Sequence, residues 1–207
     1  MADIAVARAV KDLPNPVWAD AGSPMARSAG TIRLAVLPFE TTRRQWRKPA
    51  AMLRAAMAAS LQDSPFHVVE LQQVDAALKE LGWREGEPLP ETLPQLAQRL
   101  GADALLRGTV TTWGRTYLIV ESWVKAGLAL ELLNGGTAAV IWSDRRINRR
   151  QAGLLKGPTG FTSIATAPVM GLRRKNLEQV ATHLTRDLAN ALSESPAVLA
   201  YVHERSR

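Results

Sequence analysis

Cysteine is absent from this chain of 207 residues, and histidine occurs only three times. A chain without cysteine has neither disulfide bonds nor thiolate metal sites, although this lack does not fix its cellular compartment. The three histidines, His67, His183 and His203, show none of the short spacings that bring two imidazoles onto one metal ion. We therefore predict no metal ion and no other cofactor.

Long hydrophobic runs are also lacking. Charged residues or glycine interrupt every apolar stretch well short of the ~20 residues that a membrane-spanning helix needs. Asp3 and Arg8 interrupt the apolar patch at the amino terminus, so this patch does not resemble a signal peptide. Two origins stay open at this point: a cytoplasmic chain, or a chain from which a leader has been removed.

Sequence motifs for catalysis are missing as well. The chain has no Gly-x-Ser-x-Gly motif, and the segment Gly157–Gly160 lacks the Lys-Ser/Thr of a phosphate-binding loop. Glu121 and Glu131 alternate with apolar neighbours, as carboxylates on the solvent face of a strand do. Asp103 is expected to accept hydrogen bonds from nearby backbone amides. We predict that the protein is not an enzyme, and we assign no catalytic residue.

Positive charge is in excess, with 26 Lys and Arg against 19 Asp and Glu and a formal net charge of +7. Such an excess favours anionic partners, unless it is simply spread over a solvated surface. Two arginine clusters stand out: Arg43, Arg44 and Arg47 with Lys48, and Arg145, Arg146 and Arg149 with Arg150. Neither is interleaved with aromatic residues as a platform for single-stranded nucleic acid would be. Trp46 lies inside the first cluster, where an exposed ring would favour an interface and a buried ring would argue against one.

Residues 1–30 are rich in Ala, Pro, Gly and Ser, and Pro14 and Pro16 keep the residues before them out of the helical region. We expect a flexible or partner-docked arm here. Trp18 in this arm packs either against its own domain or against a partner, because a tryptophan ring is usually buried somewhere. A single α/β domain is predicted over residues 31–195, followed by a short charged tail over 196–207, where a last helical turn stays open.

Alternating apolar residues, helical periodicity and turn residues outline the elements of this domain. In chain order they predict a strand over Ile32–Phe39, a helix over Pro49–Leu61, a strand over Phe66–Leu71, helices over Gln73–Leu81 and Leu93–Leu100 (with Gly101 as its cap), strands over Ala104–Trp113, Tyr117–Val124, Gly127–Leu133 and Ala138–Ser143, and a helix from Ala167 to about Ala191. The order favours an α/β (α+β) fold, in which a mixed, largely antiparallel sheet is packed by helices.

Several phrases of the chain resemble a bacterial family described as outer-membrane lipoproteins, of unassigned function. They are LAVLPFETT from Leu34, LAQRLGADALLRGTVTTWGRTY from Leu96 and LALELLNGGTAAVIW from Leu128. That family is similar in turn to the amino-terminal domain of TolB and to the curli-secretion channel lipoprotein. The resemblance implies a three-layer α/β fold and a location in the cell envelope. The chain departs from it in lacking the lipobox cysteine and its leader.

The resemblance implies a function in building or supporting a surface structure or a transport or secretion machine, and some relatives assemble into rings. We therefore predict a non-enzymatic subunit, in the periplasm or at the periplasmic face of the outer membrane, that acts through protein–protein contacts and self-assembly. A basic protein that binds nucleic acid or another anionic polymer, and a cytoplasmic location, are the alternatives; contact with a membrane surface also stays open. The residues predicted to carry the interaction are Trp18, Arg43, Arg44, Trp46, Arg47, Arg145, Arg146, Arg149 and Arg150.

Overall fold

The computed structural model describes residues 32–117, 122–152 and 169–205. The predicted arm over 1–30, with Trp18, therefore lies outside the described residues, as do 153–168. The strands are β1 (Ile32–Val36), β2 (Glu40–Thr41), β3 (Phe66–Val68), β4 (Ala104–Tyr117), β5 (Ser122–Asn134) and β6 (Val140–Ala152). The helices are α1 (Arg47–Ser60), α2 (Leu71–Glu80), α3 (Leu93–Leu100), α4 (Val169–Ser193) and α5 (Pro196–Arg205), and a short 3-10 helix covers Arg44–Trp46.

These strands form one mixed sheet in the order β3-β1-β4-β5-β6, with β2 added to β4. β1 lies parallel to both β3 and β4, and the three long strands β4, β5 and β6 are antiparallel to one another. The antiparallel part follows from short connections between consecutive strands, whereas the parallel part requires helical crossovers. The predicted mixed, largely antiparallel sheet packed by helices is confirmed.

Helices cover both faces of the sheet, because neighbouring side chains of a strand point to opposite faces. Leu106 packs into a first core with α1, α4 and α5, and its neighbour Leu105 packs into a second core with α2 and α3. Both leucines are fully buried. The architecture therefore has three layers. The second core is the smaller one, and it draws its strand residues only from β1 and the adjoining ends of β4 and β5.

The prediction of four strands after residue 103 is wrong in its boundaries. Three longer strands replace them, and the expected interruptions at 114–116 and 125–126 lie inside β4 and β5. Glycines suggested these interruptions, but Gly127 stands where two side chains approach the backbone. A Cβ atom there would come within 2.7 Å of Thr111 Oγ1 and 3.1 Å of Ile147 Cγ1. Glycine therefore permits close packing across the strands instead of ending one.

The segment predicted as a short charged tail contains a helix in the structure. Residues 196–205 form α5, which buries Val198 and Tyr201 in the first core. The Tyr201 hydroxyl donates a hydrogen bond of 2.7 Å to the carbonyl of Asp103, just before β4. Apolar residues two and five positions after Pro196 give this segment the buried stripe of a helix that packs on one side.

No helix among residues 32–117, 122–152 and 169–205 combines the length and the apolar character that crossing a membrane requires.

Candidate interaction surface

The first arginine cluster surrounds the 3-10 helix and the start of α1. The Trp46 ring is half-buried and packs against the first core, while the guanidinium of Arg43 lies 4.9 Å from the centre of the ring. This distance fits a cation–π contact. Trp46 is thus neither fully exposed nor fully buried, the two states that the sequence left open, since its ring packs against the first core and also contacts Arg43. Arg44 and Arg47 are exposed beside it.

Arg44 and Arg47 line a cleft of about 890 Å³ between the start of α1, α2 and the loop from α2 to α3. Phe39, Trp83 and Leu89 provide apolar lining. The charges of the lining are mixed, because Arg44, Arg47, Arg54, Lys79 and Arg84 face Glu40, Asp75, Glu85 and Glu87. A cleft with five cations and four anions does not select one sign of ligand charge, so we assign it no ligand.

The loop from α2 to α3 is fixed by contacts of its backbone. The indole N–H of Trp83 donates to the carbonyl of Glu87 at 3.1 Å, and the Leu89 N–H donates to Glu40 Oε1 at 3.1 Å. Gly86 has a φ of +91°, and the guanidinium of Arg47 lies directly against it. A side chain at this position would be strained by the backbone conformation, and the exposed end of the Arg47 side chain would have to move aside. The loop forms one wall of the cleft, and these hydrogen bonds hold it in place.

Arg54 of α1 is a buried cation that has a structural function. Its Nε and Nη2 donate to the carbonyl of Val36 at 3.1 and 2.9 Å, and its Nη1 lies 2.7 Å from Asp75 Oδ1. The side chain is 9% exposed, whereas that of Asp75 is 42% exposed. One arginine thus joins α1, the end of β1 and α2, and its charge is compensated where burial would otherwise be costly.

The second arginine cluster lies along β6, which extends to Ala152 instead of ending at the predicted Ser143. Because side chains alternate along a strand, the cluster is divided between the two faces of the sheet. Arg146 faces α4, where its Nη1 donates to the carbonyl of Asp187 at 3.2 Å and its Nε pairs with Asp144 at 2.9 Å. Arg145 and Arg149 lie on the opposite face and are exposed. The side chain of Arg150 is outside the described part.

This opposite face of β4, β5 and β6, which we call the open face, carries small residues between cations. The register places Thr109, Ala129 and Arg145 in one row across the three strands, and Gly114, Lys125 and Arg149 in another. Ile147 lies between the two rows and is 50% exposed. A Cβ atom built on Gly114 would meet nothing within 4 Å. No helix of the second core reaches this part of the sheet.

Lys125 and Arg149 of the open face are directly opposite each other on neighbouring strands. Like charges in that relation repel each other and destabilise the pair. Neither they nor Arg145 takes part in an ion pair with another described residue. No described anionic side chain therefore compensates the charges of Lys125, Arg145 and Arg149.

The cleft beside the first arginine cluster adjoins the open face at Thr109. Thr109 belongs both to the lining of the cleft and to the row that ends at Arg145. Neighbouring strands lie about 4.8 Å apart, so the Cα atoms of Thr109 and Arg145 are separated by about 10 Å. Sequence reasoning missed Lys125, Ile147 and the continuation of β6 from Ser143 to Ala152. The alternation in Arg145-Arg146-Ile147-Asn148-Arg149 was the signal that could have found them.

A polar cluster joins α5 to the start of β4. Asp103 Oδ2 accepts the backbone N–H of Arg33 at 3.0 Å, as predicted for this carboxylate, and Asp103 Oδ1 lies 3.7 Å from Arg205. Burial raises the pKa of the Tyr201 hydroxyl above its ordinary value of 10.0, and the nearby Arg205 cation offsets part of this rise. A neutral tyrosine that donates to a carbonyl stabilises the fold.

Within the described ranges, no group of three or more histidine, aspartate or glutamate side chains converges in a way that could hold a metal ion.

Comparison with known proteins identifies a family and a fold. Residues 28–172, which are more than half of the chain, match the model of the family described as "Putative lipoprotein GNA1162-like". No functionally curated protein matches the chain. The family is described by lipid attachment and not by a reaction, which agrees with the prediction that the protein is not an enzyme. The predicted likeness to a lipoprotein family is confirmed.

Two solved structures share the fold. The chain is 21% identical to lipoprotein GNA1162 from Neisseria meningitidis, with a TM-score of 0.51, and the match covers 72% of this chain and 98% of the other. It is 14% identical to protein XCC0632 from Xanthomonas campestris, with a TM-score of 0.50, and the match covers 93% of both chains. At these identities the likeness establishes the arrangement of the elements.

Proposed function

This chain belongs to the family described as "Putative lipoprotein GNA1162-like", and from that premise we propose that it works in the bacterial cell envelope by binding other proteins. The proposed location is the periplasm or the periplasmic face of the outer membrane. The finer proposal is a subunit that supports the assembly of a surface structure or of a transport or secretion machine and that associates with copies of itself.

The observation that carries this proposal is the open face together with the edge of β6. Three long strands extend beyond the second core and leave one face of the sheet without a helix among the described residues. Its exposed residues include Ile147 at 50% and Arg145 and Arg149, which have no ion pair with a described residue. Arginine and exposed apolar residues that lie together are characteristic of protein interfaces.

The experiment compares the partners and oligomers of the wild type with those of variants in which the charge of this surface is changed. The protein, produced from its native gene in its own host, would be isolated by cross-linking from separated cytoplasmic, periplasmic and membrane fractions. Arg145→Glu with Arg149→Glu should remove the cross-linked partners or oligomers, whereas Arg99→Glu with Arg186→Glu, which makes the same change of charge at exposed positions of α3 and α4, should retain them. A cytoplasmic protein, or a monomer without partners, would contradict the proposal.

Binding of a nucleic acid or another anionic polymer is a second candidate, and it is favoured by Arg145, Arg149 and Lys125, which form no ion pair with a described residue. Its affinity would fall steeply as salt rises, since polyanion binding releases condensed counterions. Titration of labelled single-stranded DNA and heparin at 50 and 200 mM salt tests this. The candidate fails if neither polymer binds at the lower concentration.

A further inference from the structure

The free edge of β6 offers backbone groups to another chain. β6 pairs with β5 from Val140 to Ala152, and no described strand lies along its other side. Successive residues of a strand point their N–H and C=O groups to opposite sides, so about half of the backbone groups of β6 face away from β5. An extended segment that added to this edge would satisfy them, as peptides do in β-augmentation.

The side chains beside this edge specify what the added segment should carry. Arg145, Ile147 and Arg149 occupy alternate positions of β6 on the open face and are exposed. A segment aligned with them would present acidic, apolar and acidic side chains at its own alternate positions, because directly opposite residues interact most strongly. The acidic group beside Arg149 would also relieve the repulsion between Arg149 and Lys125, which are paired across β5 and β6.

Another copy of β6 does not fit this edge. Two β6 strands would set arginines against arginines, since residues 145, 146, 149 and 150 are all Arg and only Asp144 is acidic. Charged residues on an edge strand oppose such self-pairing. The partner strand therefore differs in charge from β6.

The segment Glu87–Glu91 is the one place in this sequence where two acidic residues lie four apart with an apolar residue midway. Its backbone is already engaged within the molecule. The Glu87 N–H donates to the carbonyl of Arg84 at 3.1 Å, and the Leu89 N–H donates to Glu40 Oε1 at 3.1 Å. This loop cannot add as a strand to β6 of a second copy without losing those bonds. A different protein supplies the strand.

The geometry points to a partner protein that adds an extended segment with the pattern acid-x-apolar-x-acid to the edge of β6. The backbone ladder supplies affinity, and the row Arg145–Ile147–Arg149 supplies specificity. This inference rests on the proposed function as a protein-binding subunit, and it names the chemical class of the segment that the same surface accepts.

The test uses two labelled, end-capped peptides of one composition and the full chain. The first, Thr-Glu-Thr-Ile-Thr-Glu-Thr, has the required alternation; the second, Thr-Thr-Glu-Ile-Glu-Thr-Thr, puts both acids on the face opposite to that of Ile. Fluorescence anisotropy should show binding of the first that is on the order of tenfold tighter than that of the second, a ratio that corresponds to two or three exposed ion pairs. Equal affinities, or no binding of the first peptide, overturn the inference.

Variants of β6 supply the matched comparison. In the variant Arg145→Glu with Arg149→Glu, the affinity for the first peptide should fall on the order of tenfold. The affinity of this variant for Thr-Lys-Thr-Ile-Thr-Lys-Thr should exceed that of the wild type. Arg145→Gln with Arg149→Gln is measured beside it in case the reversal disturbs folding, which circular dichroism checks. Arg99→Glu with Arg186→Glu should bind the first peptide as the wild type does, and a loss in this control would overturn the assignment to β6.

Hydrogen exchange identifies the backbone contact. Amides of β6 that point away from β5 should exchange more slowly when the first peptide is bound, while those of α2 should not change. Binding without protection in β6 overturns strand addition. If neither peptide binds while the Arg145→Glu, Arg149→Glu protein still loses its cellular partners, the proposed function stands and this inference fails.

Discussion

Arg54 is the residue whose loss should disturb the fold most specifically. Arg54→Met leaves the Val36 carbonyl without its two donors and Asp75 without its cation. Since Asp75 is 42% exposed, water compensates part of the loss, and we expect a decrease in the free energy of unfolding of about 2–3 kcal/mol. Urea denaturation measures it. Arg99→Met, which breaks the exposed pair with Glu80, should cost less than ~1 kcal/mol; equal losses would contradict the assignment.

Tyr201 gives the stability a predictable dependence at high pH. The pKa of its hydroxyl is raised by burial, so its contribution is fully present below the unfolded pKa of 10.0 and is lost as pH rises through the higher folded value. Tyr201→Phe should therefore lower stability by about 0.5–1.5 kcal/mol at pH 7, and the difference from wild type should shrink above pH ~10. Urea denaturation at pH 7 and above pH ~10 checks this; a difference that grows with pH would contradict it.

The structural role of a single residue was predictable where that residue type strongly prefers one backbone conformation or one kind of partner. Gly101 was expected to end α3, and it does so with a φ of +58°, which glycine adopts without strain. The half-buried state of Trp46 was not predictable, because it depends on the first core beneath the ring and on Arg43 above it. Sequence spacing contains no information about which side of a loop meets the core.

At the scale of elements, the close packing of side chains across β4, β5 and β6 depends on Gly127. Gly127→Ala would place a methyl group within 2.7 Å of Thr111 Oγ1, and such overpacking should cost about 1–3 kcal/mol. Gly114→Ala, in the same sheet but with open space around it, should change stability by less than ~1 kcal/mol. Thermal unfolding of the two variants compares them. Equal midpoints would show that glycine is not required at 127.

The lengths of the long strands were the part of the fold that sequence reasoning missed. Glycine either ends a strand or lets two strands approach closely, and the two uses look alike in a sequence. Gly114 and Gly127 fall inside β4 and β5, and the arginines after Ser143 look like a solvated loop although β6 continues through them. The helices were better predicted, since α3 matches its expected range and α2 is shifted by two residues or fewer.

At the scale of the whole molecule, the arginines of β6 should prevent the exposed edge from pairing with the sheets of other molecules. Arg145→Val with Arg149→Val would leave an edge strand with β-branched residues and Ile147 and without two of its charges, a combination that promotes pairing between sheets. We expect light scattering to show association that rises with protein concentration. Arg44→Val with Arg84→Val removes the same charge from the cleft and should leave the scattering at the wild-type level. Association of both variants would attribute the effect to net charge alone.

Which face of the sheet remains uncovered could not be read from the sequence. The helical periodicity identified α2 and α3, but the part of each long strand that they cover depends on their lengths relative to those of the strands. Both helices are short, with ten and eight residues, whereas β4 to β6 have thirteen or fourteen residues each. The open face results from this difference, which appears only when the elements are assembled.

The central position of β1 has a kinetic consequence. Its Leu34 is aligned with Ala104, 70 residues later in the chain, whereas β4, β5 and β6 join near neighbours. Contacts that close long loops form late, so the meander of β4 to β6 should nucleate folding and the parallel centre should dock afterwards. Leu130→Ala should then mainly slow refolding and Leu34→Ala mainly speed unfolding in stopped-flow chevrons, although both side chains are fully buried. The reverse assignment of rates would indicate a nucleus built around the parallel strands.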